Sequence, residues 1–78
     1  MPVLRLFGPA RVCAGTARVD LPGHTVSEVL GAAELRFGLP FTEVLAISRI
    51  WVNGDSADLR FTLAPDDEIA VLPPVSGG

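Results

Sequence analysis

The segment Glu68-Ile69-Ala70-Val71-Leu72 limits most what this chain can become. Four of its five residues are apolar, which suits a strand in the middle of a sheet. Pro73-Pro74 follows at once, and neither proline has an N–H to give to a ladder, so the strand stops there. A chain whose last strand is central must lay its earlier strands on either side of it. Residues 2–7 supply one of these, with Val3, Arg5 and Phe7 on one face and Leu4 and Leu6 on the other. Gly8-Pro9 ends that strand, Gly15-Thr16 is the next turn signal, and Ala17-Arg18-Val19-Asp20-Leu21 alternates again. The two runs predict an antiparallel hairpin, with Cys13 in its loop.

The helix signals are clearer. Thr25 and Glu28 have the spacing of a capping box, in which each side chain satisfies an orphan backbone N–H. Val26, Val29, Leu30, Ala33 and Phe37 then repeat at helical spacing and form one apolar stripe. Gly38 is placed for a left-handed C-cap, and Pro40 just beyond it is expected to prevent continuation. Phe41, Val44 and Leu45 allow one short helical turn. Ile50-Trp51-Val52 reads as a strand running into the tight turn Asn53-Gly54. Ala64-Pro65-Asp66-Asp67 is a further turn before the last strand. The order β-β-α-β-β predicts an α+β fold: a ubiquitin-like roll, with one main helix across a mixed sheet.

Seventy-eight residues allow one domain and one small core. An apolar fraction of 49% with 19% charged residues is a globular composition. Six arginines, no lysine and nine acids give a net charge of −3, the wrong sign for a chain that must neutralise phosphates. No basic amphipathic face suggests a membrane surface, and no stretch approaches the roughly 18 apolar residues of a span. Arg5 and Gly8-Pro9 interrupt the N-terminus before a signal-peptide core is complete. One cysteine makes no internal disulfide, and no Cys/His cluster has zinc-site spacing, so the fold must stand on packing. A cytoplasmic location is therefore expected.

Side chains suited to catalysis are few. His24 sits in a turn with no serine or cysteine motif beside it, and a general base needs an oriented partner. Cys13 reads as a small apolar residue rather than an activated thiol. Asp66, Asp67 and Glu68 are the densest acids, but a turn before a strand is where solvated carboxylates normally sit. Arg49, Trp51, Arg60 and Phe61 resemble a base-stacking mixture that the net charge disfavours, and Trp51 is expected in the core or an interface.

The C-terminus is more telling. Pro73 and Pro74 fix an extended path, and the five residues after Pro73 reach roughly 16 Å at about 3.3 Å each. Gly77 and Gly78 have no side chains and suit a narrow channel, with the carboxylate of Gly78 as the only functional group at the tip. One domain over residues 1–73 and a flexible tail over residues 74–78, comprising Pro74, Val75, Ser76, Gly77 and Gly78, describe a group carrier. Phe7 and Leu72 lie at the ends of the first and last strands, and a roll of this kind sets those strands parallel and adjacent. Phe7 and Leu72, with Arg11 at the rim, are therefore expected to form a partner-docking patch beside the tail, unless Phe7 completes the core.

Val3-Leu4-Arg5-Leu6-Phe7, the Thr25–Phe37 helix, Trp51-Val52-Asn53-Gly54 and the whole run Leu63–Gly78 resemble the ubiquitin-like sulfur carriers, in particular the small subunits of molybdopterin synthase. Leu72 departs from the aromatic residue that many members have there. The resemblance implies that an E1-like activating enzyme adenylates Gly78 with ATP, and that a sulfur donor system then converts it to a thiocarboxylate. The sulfur would pass to a pterin precursor in the large, catalytic synthase subunit. On this view the chain is a co-substrate rather than an enzyme, with no bound cofactor or metal and no nucleic-acid or membrane partner. Sulfur carriers for thiamine or cysteine synthesis and ubiquitin-like protein modifiers share the same tail. A plain interaction module would not need it.

Overall fold

β5 (Glu68–Leu72) lies in the centre of a five-stranded mixed sheet, and the computed structural model describes residues 1–74 of the chain. The other strands are β1 (Val3–Leu6), β2 (Arg18–Asp20), β3 (Arg49–Val52) and β4 (Asp55–Ser56), in the spatial order β2-β1-β5-β3-β4. β5 runs parallel to β1, pairing Leu4 with Ile69 and Leu6 with Val71. It runs antiparallel to β3, pairing Ile50 with Val71 and Val52 with Ile69. The period of two puts Leu4, Leu6, Ile69, Val71 and Val52 on one face, all buried. α2 (Val26–Phe37) covers that face with Val26, Val29, Leu30 and Ala33. Phe41 of α3 (Leu39–Ala46) completes the core and meets Phe37 in a tilted contact, 5.2 Å between ring centroids. Each large side chain so buried contributes about 1.5–3 kcal/mol.

The start of α2 is fastened as its sequence indicates. Thr25 Oγ1 accepts the Glu28 N–H at 3.2 Å, while Glu28 Oε1 accepts the His24 N–H at 2.8 Å, one residue before the cap. The next two orphan donors are met by a segment whose sequence is irregular. Val26 N–H donates to the Phe61 carbonyl at 3.1 Å and Ser27 N–H to the Leu59 carbonyl at 2.9 Å. The stretch between β4 and β5 is thus a brace for the helix N-terminus rather than a sheet strand.

Two expectations are corrected. The connection between β1 and β2 is not a hairpin loop but α1 (Gly8–Ala14), with Cys13 half-buried on it. Gly8-Pro9 ends the strand and also starts this helix: Gly8 turns the chain at φ +55°, and proline tolerates the first helical turn, where no N–H is needed. α2 does end at Phe37 as expected, but not through a left-handed cap. Gly38 donates its N–H to the Glu34 carbonyl but adopts φ 87°, ψ −171°, outside the left-handed helical well, and so redirects the chain straight into α3 with Pro40 in its first turn. The helical turn expected near residue 41 is a helix of eight residues.

Ile69→Ala should lower stability by about 2–5 kcal/mol. Thr25→Ala should cost about 1 kcal/mol through the lost cap. Urea unfolding followed by far-UV circular dichroism checks both size and ranking.

Candidate functional site: where the last strand leaves the sheet

Parallel pairing of β1 with β5 brings two strand ends together. Leu6 and Val71 are the last pair, and Phe7 and Leu72 follow on the opposite face of the sheet. Phe7 is 39% exposed and outside the buried core, so it does not complete that core; Leu72 is half-buried. Arg11 is exposed on the helix that starts behind Phe7. Gly8 abuts the chain beyond β5, since a Cβ there would sit 3.4 Å from Pro73 Cγ. A side chain at residue 8 would therefore press on the exit of the chain as well as strain a positive φ. The structure thus brings Phe7, Leu72 and Pro73 to one corner, and leaves Arg11 exposed on the helix that starts there. Val75, Ser76, Gly77 and Gly78 lie outside the described residues.

The remaining candidates are placed elsewhere and do not converge. His24 is exposed, and its backbone N–H serves the helix cap. Arg49 and Trp51 lie on β3, whereas Arg60 and Phe61 belong to the brace at the start of α2, so the four form no single platform. Trp51 is 37% exposed and belongs to the open face of the sheet rather than to the core. An open groove of about 640 Å³ runs between the helices and β3, floored by Leu30, Leu45, Ile50 and Leu59. Its Glu34 carboxylate accepts the Thr42 hydroxyl at 2.9 Å.

The acidic run before β5 has a structural task. Asp67 Oδ2 accepts the Ala64 N–H at 2.8 Å, and Oδ1 accepts the Asn53 amide at 2.9 Å, tying the turn at 64–67 to the β3–β4 turn. Asn53 Oδ1 in return accepts the Glu68 N–H at 3.0 Å. The backbone bond from Ala64, then the side-chain bond from Asn53, hold the Asp67 carboxyl below its ordinary value of 3.8. Among the described residues, no group of three or more His, Cys, Asp or Glu side chains is arranged to hold a metal ion.

A model of the ThiS family matches residues 4–78. The chain belongs to the ThiS family. A molybdopterin synthase sulfur carrier subunit from Drosophila yakuba is 36% identical over 76 residues, spanning 92% of this chain and 84% of that protein. Among solved structures, small archaeal modifier protein 1 from Methanosarcina acetivorans superposes with a TM-score of 0.83 at 29% identity, covering 99% of this chain and 95% of its own. The complex of subunits 1 and 2 of the molybdopterin-converting factor from Helicobacter pylori contains a chain of TM-score 0.72 and 28% identity, with 99% and 97% covered. The ubiquitin-like roll of this ThiS-family chain is thus a shared architecture. The sequence left Trp51 between core and interface; the alternation Arg-Ile-Trp-Val about a buried Val52 carried the signal that turns it outward with Arg49.

Because the fold favours the ionised Asp67, its contribution is fully present above pH about 4 and is lost as pH falls through the lowered folded value. Asp67→Asn removes that titration. Between pH 5 and pH 2 the melting temperature of the wild type should fall further than that of Asp67→Asn, as thermal melts at several pH values would show.

Proposed function

We propose that this ThiS-family chain is a sulfur carrier and serves as the small subunit of molybdopterin synthase, with Gly78 as the acyl site. The observation that carries the proposal is a family match running through Gly78 in a chain that leaves the sheet centre at Pro73-Pro74. An α-carboxylate of pKa about 3.5 is ionised at pH 7 and a poor electrophile. An E1-like activating enzyme removes that obstacle: a carboxylate oxygen attacks the α-phosphorus of ATP and pyrophosphate leaves. Sulfur from a donor system then adds to the acyl carbon, AMP departs, and a thiocarboxylate remains. ATP is consumed by the activating enzyme, and this chain carries the sulfur covalently without a bound cofactor.

The tail then enters the large synthase subunit, where sulfur passes to the pterin precursor in two rounds. Phe7, Leu72 and Arg11 dock the carrier, while Pro73, Pro74, Val75, Ser76 and Gly77 thread Gly78 to the reacting centre. The general base, metal or oxyanion donors belong to the partners, in keeping with a cytoplasmic co-substrate that is not an enzyme alone. The likeness to a small archaeal modifier protein supports a second use of the same activated acyl group, transfer to a lysine amine of another protein. Chains linked through this protein's own lysines are impossible, since it has none.

Intact mass after incubation with ATP, an activating enzyme and a sulfur donor tests the acyl site. The wild type should gain the mass of one sulfur-for-oxygen exchange. Removing Gly78, or adding a residue after it, should abolish that gain with no change in melting temperature. Near-normal sulfur transfer by either variant overturns the carrier reading. Leu72→Glu should weaken binding to the large subunit while adenylation persists. Unfolding of Leu72→Glu without a separable binding defect would overturn the docking patch.

A further inference from the structure

The face of the sheet that α2 leaves uncovered has an ordered charge pattern. Registers place Arg18 beside Arg5, Arg5 beside Ala70, Ala70 beside Trp51 and Trp51 beside Ser56, forming one row across all five strands. The row next to it, at the end where β5 leaves, holds Phe7, Leu72 and Arg49, with Leu72 paired to Arg49. The row on the other side holds Asp20, Val3 and Glu68, and the acids Asp55, Asp66 and Asp67 lie at the same far end. A chain of net charge −3 therefore sets three of its six arginines, Arg5, Arg18 and Arg49, in the two rows nearest the exit of its last strand, with Arg11 on the helix that follows β1. Of these, Arg5 is engaged, its guanidinium 3.5 Å from Glu68 and 6.0 Å from the Phe7 ring centroid. Arg11, Arg18 and Arg49 are exposed. Inside them lies the apolar surface of Phe7, Leu72 and Trp51, with Phe7 and Trp51 each more than a third exposed.

An arginine rim around exposed aromatic groups is the composition of a protein interface centre, where such residues dominate binding. Arg18 directly opposite Arg5 destabilises an isolated sheet, so local folding does not explain the pair. We infer that the docking surface extends across this face to Trp51, Arg18 and Arg49, and that its partner presents an apolar centre ringed by carboxylates. This rests on the carrier reading and names the chemistry that its large-subunit partner must show. A net negative chain disfavours a nucleic acid on the same surface, because phosphates along a strand meet the acids at the far end. Oppositely charged rims steer association, accelerating it 10- to 1,000-fold at low salt.

The test measures association of the thiocarboxylated full chain with the large synthase subunit by stopped flow at low and at raised salt. Arg18→Glu/Arg49→Glu should slow association at least tenfold at low salt and flatten its salt dependence. Trp51→Ala should raise the dissociation rate with little effect on association. Arg60→Glu, an equal change of charge per site beside the start of α2, should leave both rates unchanged. The arginine variants change exposed residues, so their melting temperatures should stay close to wild type. Equal rates for wild type and the double variant, with thiocarboxylation and binding intact, overturn the arginine rim and leave the carrier reading standing. A wild type that neither gains sulfur nor binds overturns both. Binding of a single-stranded oligonucleotide that the double variant loses, with large-subunit association unchanged, overturns the protein partner.

Discussion

The parallel pairing of β1 with β5 is the constraint from which the rest of this structure follows. Parallel neighbours cannot be joined by a tight turn, so the intervening chain must cross over and return. Here that crossover includes α2 and α3, and it covers only one face of the sheet. The registers Leu4–Ile69 and Leu6–Val71 then fix which side chains the helices meet. A slip of β1 by one residue would turn Val3 and Arg5 into the core and expose Leu4 and Leu6. The same pairing brings the first strand's end, Phe7, beside the last strand's end, Leu72. Core formation and the assembly of the tail root are therefore a single event.

The exit of β5 is shaped by two residues with opposite backbone properties. Pro73 and Pro74 hold the chain extended as it leaves, while Gly8 lets β1 turn away at φ +55° without a side chain against Pro73. The far end of the sheet is closed differently, by reciprocal bonds among Asn53, Asp67, Glu68 and Ala64. That end concentrates the acids and engages Asp67 with backbone and amide donors. The rows nearest the exit hold Arg5, Arg18 and Arg49, and leave Arg18 and Arg49 exposed. One end of the sheet is thus tied to itself, and the other is free to meet another molecule.

Much of this was legible in the sequence because the signals were local. Alternation identified β1 and β2, the apolar run before Pro73-Pro74 identified β5, the Thr25–Glu28 pair located α2, and Asn53-Gly54 located the β3–β4 turn. The central position of β5 followed from its apolar content and the prolines behind it. The missed helix α1 and the underestimated helix α3 share one cause: Gly-Pro and Gly-Leu-Pro punctuate a chain equally well when they end one element and when they begin another. Tertiary packing decides between these outcomes, through Ala10 of α1 and Phe41 of α3, both at most 1% exposed. The docking corner was legible only after β1 and β5 had been placed side by side. Trp51 and Arg49 joined it later, because the exposed face of β3 shows itself once Val52 is known to point inward.

A carrier mechanism also sets limits on how tightly this surface can bind. On the mechanism proposed above, Gly78 is adenylated in one active site and delivers sulfur in another, and both reactions need the same tail. Two partners that reach the tail over the same corner cannot be bound together, so each transfer of the acyl group requires complete dissociation. Burying a wide apolar face would slow that release, since affinity gained from well-packed contacts is expressed mainly in the off-rate. Rim charges act differently: they raise the encounter rate and add little to residence time. A narrow apolar centre of Phe7, Leu72 and Trp51 within an arginine rim therefore suits a chain that has to be found quickly and released as readily.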